Sequence, residues 1–193
     1  MAGSTGSKLA GKKVAIVVTD GFEQVEMTQP REALEQAGAK TDLISLKSGQ
    51  VKGWQSTEWG DKFPVDVTID EANPEDYDAL LLPGGVMNPD KLRRKEPVQK
   101  FVRAFFDANK PVAAICHGPW TLVDSGVVRG RKMTSYESIQ TDLKNAGAKW
   151  VDEEVVTCRQ SNVLITSRKP ADIPAFNRVI IEEFAKAPQM AGA

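Results

Sequence analysis

The residues from Pro111 to Trp120, PVAAICHGPW, hold the side chains most suited to chemistry. Val112 to Ile115 is a short apolar run bounded by Pro and Gly, the pattern of a strand buried on both faces. It breaks at Cys116. Gly118 and Pro119 follow and open a helix, with Pro119 at a first helical position where its missing N–H costs nothing. Strand, sharp turn and helix place Cys116 at the carboxyl edge of a sheet, the arrangement of a nucleophile elbow with Cys in place of Ser. Backbone N–H groups at the helix start favour an anion, so the thiol is expected to titrate below its free value of about 8.5. A buried structural cysteine fits the same residue, and this stretch alone leaves both readings open.

Two acids follow the first strand. Glu23 or Glu26, seated over Cys116, could hydrogen-bond the sulfur and shuttle a proton. Like-charge repulsion and desolvation would then raise the carboxyl pKa; a solvated acidic first turn is the plainer alternative. Gly84 and Gly85 can bring N–H groups close to a ligand and, with the N–H of His117, form an oxyanion hole. They also fit a simple turn. His117 is the only histidine among 193 residues, so any Cys–His dyad must use it. Adjacent residues at a tight turn usually point apart, which leaves a backbone role or packing at a subunit contact equally open. Cys158 falls on an edge hairpin and reads as an incidental thiol.

The elements that must position these residues alternate. Strands are expected at 13–18, 41–46, 63–69, 77–82 and 112–115, with 63–69 half-exposed and 48–60 a loop or short hairpin. A short strand at 132–135 and a hairpin pairing 155–158 with 163–167 follow. Helices are expected at 28–37, with Pro30 in the first turn, and at 97–109, 119–125, 139–146 and 171–186. Alternating strands and helices argue for a mainly parallel sheet covered on both faces, an α/β flavodoxin-like three-layer sandwich with one domain. Ligands bind such sheets outside the carboxyl ends of the strands. Gly21 to Glu26, Pro83 to Gly85 and Cys116 to Gly118 all fall at such ends.

Composition narrows the classes. The length suits one domain, expected over 12–187 between a disordered extension at 1–11 and a tail at 188–193. A net charge of −1 leaves no footprint for nucleic acid or an anionic membrane. No apolar run nears the roughly 20 residues of a membrane span, and the first residues lack the apolar core of a secretory signal. Two cysteines make no disulfide framework, and a cytoplasmic location is expected. One His and two scattered Cys show no zinc spacing, so neither metal nor cofactor is expected.

The run from Ala114 to Pro119, with LPGG at 82–85 and GFEQVE at 21–26, resembles the PfpI intracellular protease family. That family lies in the superfamily of the parkinsonism-associated deglycase and shares the class I glutamine amidotransferase-like fold. The likeness continues through GRK at 130–132, NAGA at 145–148, EVV at 154–156 and SRKPAD at 167–172, in matching order over roughly residues 12 to 187. It implies Cys116 as a nucleophile in a strained turn, Glu26 as the acid at the thiol with Glu23 nearby, and Gly84 and Gly85 as oxyanion donors. It further implies that His117 pairs with an acid from a neighbouring subunit, at the position of Asp90, where Asp is shorter than the Glu also found there. Trp120 replaces a common Gln and is expected to reshape or cover the pocket. Homodimers, and in some members hexamers, are implied. The true amidotransferases need a His on a later segment, which this chain lacks.

The resemblance implies a stress-response enzyme in which the Cys116 thiolate attacks the carbonyl of glyoxal, methylglyoxal or their protein adducts. Two rivals stand beside it. One is an intracellular cysteine peptidase. The other is a redox sensor or chaperone that uses Cys116 without catalysis.

Overall fold

The computed structural model describes residues 8–188. In chain order the elements are β1 (Lys13–Val17), β2 (Phe22–Glu23), α1 (Gln24–Gln36), β3 (Lys40–Ser45), β4 (Gln50–Gln55), β5 (Glu58–Pro64), β6 (Val67–Thr68) and β7 (Ala79–Leu82). There follow α2 (Met87–Arg93), α3 (Glu96–Asp107), β8 (Val112–Ile115), α4 (Pro119–Asp124), β9 (Lys132–Met133), α5 (Gln140–Asn145), β10 (Lys149–Trp150), β11 (Val155–Arg159), β12 (Val163–Ser167) and α6 (Ile173–Lys186).

Seven strands form the main sheet in the order β11-β12-β8-β7-β1-β3-β6. All pair in parallel except β11, which runs antiparallel to β12 as the expected edge hairpin. Side chains alternate across each strand, and both faces are covered. Val14 and Ile16 share one core with Met27 and Leu34 of α1 and with Phe176, Ile180 and Phe184 of α6. Ala15 and Val17 share the other with Phe101, Val102 and Phe105 of α3 and Leu122 of α4. This is why β1 is apolar throughout, and it makes the molecule the three-layer sandwich expected. The β3-β1-β7-β8-β12 core has the flavodoxin-like order. The chain leaves β1 toward β3 and later returns on its other side as β7, so a crevice opens at the carboxyl ends of β1 and β7.

Four expectations need correction. The first helix begins at Gln24, not Thr28, and Pro30 lies inside it. Tertiary contacts outweigh the lost hydrogen bond to Glu26 C=O. Gln24 clasps Asp61 in β5 through two hydrogen bonds of 2.7 Å, and Glu26 and Met27 are buried. The single strand expected at 63–69 is instead two. Pro64 ends β5, which pairs with β4 in a small three-stranded sheet, and β6 joins β3 in the main one. Asp66 makes that change of sheet, its carboxylate accepting from Leu43 N–H at 2.7 Å. Residues 87–93, where no helix is expected from the sequence, form α2. The disordered extension expected at 1–11 does not include 8–11: Leu9 is fully buried in the α1/α6 core and its N–H donates to Ala37 C=O at 2.8 Å. Residues 1–7, and all of the expected tail but Pro188, fall outside the described residues. Among the described residues, no helix is long and apolar enough to cross a membrane.

Candidate active site

Cys116 sits directly after β8 with φ +63°, left-handed backbone that an L side chain seldom adopts. The surroundings enforce it. Cys116 N–H donates to Ser167 C=O at 3.0 Å, and Cys116 C=O accepts from Tyr136 N–H at 2.9 Å. Gly118 lets the chain turn back against β7, since a Cβ there would lie 2.5 Å from Leu82 O. The elbow read from the sequence is therefore present, at the carboxyl edge of the sheet.

Glu26 projects from the first turn of α1 into the space beneath the sulfur and is fully buried. Its Oε2 accepts from Gly84 N–H at 2.8 Å, while Oε1 is buried with no hydrogen-bond partner. Burial pushes the carboxyl up to about 8, against the opposing influence of the Cys116 thiol and the Gly84 N–H. At neutral pH the group is thus an acid carrying a proton beside the sulfur. Gly84 permits this approach, because a Cβ there would lie 2.7 Å from both Cys116 Cβ and Ile115 O.

Two expectations change here. Gly84 was expected to offer its N–H to an oxyanion, but that N–H is spent on Glu26; the N–H groups directed at the sulfur are those of Gly85 and His117. The thiol was expected to titrate low. Burial, and then the charge of an ionised Glu26, pushes it up instead, opposed by the Gly85 and His117 N–H groups. With Glu26 protonated the charge repulsion disappears, and acid and thiol each carry their own proton at neutral pH.

His117 does touch its neighbour: Nδ1 lies 3.2 Å from Cys116 Sγ. The positive φ at Cys116 swings both side chains to one side. Nε2 lies 3.1 Å from Ser138 Oγ, a residue that no motif singled out. Tyr136 stacks on the ring at 4.8 Å and 23°, and Trp120 meets it edge-on at 5.2 Å. Burial lowers the imidazole pKa, so the ring is neutral at physiological pH.

Trp120 was expected to shape or cover the pocket. It lies behind His117 instead, outside the cleft lining, with Nε1 bonded to Asp142 at 2.8 Å and Arg93 over its face. The cleft has a volume of about 710 Å³. Cys116, His117 and Ser138 line one side, Glu23, Trp54 and Ser56 another, and Val86 and Tyr136 form an exposed apolar mouth. Glu23 accepts from Ser56 N–H at 3.3 Å, which ties the β4-β5 hairpin to the cleft, and partial burial raises its pKa. Asp90 is exposed on α2, its N–H bonded to Val86 C=O, and does not line the cleft. The chain does not bring it to His117 by itself, so its expected role requires a second copy.

Asn88 was also missed. Fully buried, it accepts from Thr19 N–H at 2.8 Å and donates to Pro83 and Gly84 C=O at 3.1 Å, clipping the loop after β1 to the loop after β7. An Asn before Pro reads from sequence as turn material, which hid this role. Cys158 is buried on β11 in the α3-side core, and it does not line the cleft.

A doubly wound α/β protein with an acid-backed cysteine elbow is thus defined, and comparison with known proteins gives its family. The DJ-1/PfpI family model matches residues 12–183. General stress protein 18 of Bacillus subtilis (strain 168) is 48% identical over 169 residues, spanning 87% of this chain and 95% of that protein. Protein/nucleic acid deglycase 2 of Escherichia coli (strain K12) is 45% identical over 168 residues, spanning 86% and 94%. The crystal structure of Drosophila melanogaster DJ-1beta superposes with a TM-score of 0.80 at 28% identity, over 93% of each chain. The chain belongs to the DJ-1/PfpI family.

Proposed function

We propose that this protein is a deglycase that acts through Cys116 on carbonyl adducts of methylglyoxal or glyoxal carried by larger molecules. The observation that carries the reading is the sulfur's setting. It stands on a left-handed elbow between a buried Glu26 carboxyl and His117 Nδ1, with two backbone N–H groups directed at it. In the first step the sulfur adds to the carbonyl carbon. The S–C bond forms, the C=O π bond breaks, and the N–H groups of Gly85 and His117 hold the oxygen as charge develops. Glu26, protonated at neutral pH, gives its proton to that oxygen and takes up the thiol's own proton, so the acid is regenerated and the addition is neutral overall.

A cleft of about 710 Å³ exceeds what a three-carbon aldehyde fills. That size, with the apolar mouth at Val86 and Tyr136, supports an adduct on a protein or nucleotide over free aldehyde. The relative named as a deglycase points the same way. Peptide hydrolysis is the second reading, favoured by Trp120 standing outside the cleft.

The test is turnover of a methylglyoxal-treated peptide by wild type and by Cys116→Ser. Release of unmodified peptide by wild type, with a loss of more than a hundredfold in the variant, is expected. Equal turnover by both proteins rules out the thiol. Cleavage of the peptide backbone in the same assay selects the peptidase reading.

A further inference from the structure

We propose that Ser138 is a positioning residue that holds His117 in the Nδ1–H tautomer, so that the imidazole donates a hydrogen bond to the Cys116 sulfur. The inference rests on the reading of Cys116 as the reacting group. The ring sits between two aromatic neighbours, Tyr136 on its face and Trp120 at its edge, and each nitrogen meets one partner. Those partners are Cys116 Sγ at 3.2 Å and Ser138 Oγ at 3.1 Å.

A neutral imidazole has one N–H donor and one lone-pair acceptor, and what faces one nitrogen decides the role of the other. A hydroxyl can donate or accept, so Ser138 can donate to Nε2 and leave the proton on Nδ1. The sulfur then gains a third N–H donor besides Gly85 and His117 main chain, the arrangement that favours a thiolate. A carboxylate at Nε2 has only acceptor atoms. It would demand Nε2–H and turn the Nδ1 lone pair toward sulfur, making His117 a base for the thiol proton. A carboxylate partner therefore imposes Nε2–H, whereas a hydroxyl partner permits the Nδ1–H tautomer that turns a donor toward sulfur. Within the chain the partner present is the hydroxyl, and Asp90 does not line the cleft.

The chain's single histidine makes the distinction measurable. Protein without a histidine tag, labelled with 15N-histidine, gives one imidazole spectrum. At pH 7.5 wild type is expected to show protonated Nδ1 and unprotonated Nε2. Ser138→Ala should lose that single tautomer, and Ser138→Thr should keep it. In parallel, Cys116 alkylation by iodoacetamide at pH 7.5 should slow about fivefold to tenfold in Ser138→Ala, the effect of one hydrogen bond, and recover in Ser138→Thr. Asp90→Ala should move neither readout.

A wild-type spectrum with Nε2–H, or one unchanged in Ser138→Ala, overturns the proposal. A change confined to Asp90→Ala overturns it as well and gives Nε2 to a carboxylate from a second copy. Neither readout uses an aldehyde, so a failed deglycase assay with these results intact would indict the substrate, not the role of Ser138.

Discussion

Replacing Glu26 by Gln tests the acid–sulfur pair most directly, because the amide copies the shape of the protonated acid. Its oxygen can accept from Gly84 N–H as Oε2 does at 2.8 Å, and its NH2 group takes the place of the unpartnered Oε1. Only the ability to ionise is lost. Burial pushes the folded carboxyl up to about 8 from an ordinary value of 4.5. The folded protein therefore binds a proton more tightly than the unfolded chain, and its stability falls as pH rises between those values. The slope is about 1.4 kcal/mol per pH unit, which totals about 5 kcal/mol once both forms are ionised. The variant escapes this cost. In urea titrations from pH 5 to 9 wild type should lose stability steadily relative to Glu26→Gln, and the difference should level off above pH 8. Removing the ionised neighbour also lowers the Cys116 pKa, so alkylation above pH 8 should be faster in the variant, while adduct turnover drops because an amide cannot deliver a proton. Parallel urea midpoints at every pH, together with identical alkylation profiles, would refute the reasoning: Glu26 would then be ionised in the fold and apart from the thiol.

Two further outcomes follow from the same geometry. Gly84→Ala places a methyl 2.7 Å from Cys116 Cβ and Ile115 O, and it should cost about 1–3 kcal/mol in urea while disturbing alkylation of Cys116; a midpoint equal to wild type would show that the loop yields freely. Cys158→Ser puts a hydroxyl into the core beside β11 and should cost about 1–2 kcal/mol with turnover intact, and a loss of activity matching Cys116→Ser would mean the wrong thiol was chosen.

Much of this protein is legible in its sequence because its signals are local. Apolar runs bounded by Pro and Gly mark β1, β7 and β8, since a strand covered on both faces has no polar side to show. The elbow is legible because a strand, a sharp turn at Cys116, Gly118 and a Pro-initiated helix need no distant partner to be recognised. The amphipathic face of α3 is equally local, with Val98, Phe101, Val102, Phe105 and Phe106 all buried.

What only the tertiary structure decides depends on residues far apart in the chain. The pKa of Cys116 is one such property. Its place in a helix-start turn argues for a low value, yet burial by the packed layers and a carboxyl from α1, ninety residues earlier, push it up. The availability of the Gly84 N–H is another, because Glu26 claims it across 58 residues of chain. The start of α1 at Gln24, ahead of Pro30, is set by its clasp on Asp61, since a tertiary hydrogen-bond pair can outweigh a local helix breaker. The contact of His117 with both Cys116 and Ser138 has the same origin. Residue types state which groups can donate, accept or ionise; folding alone sets which of them meet, and how dry the place is where they do.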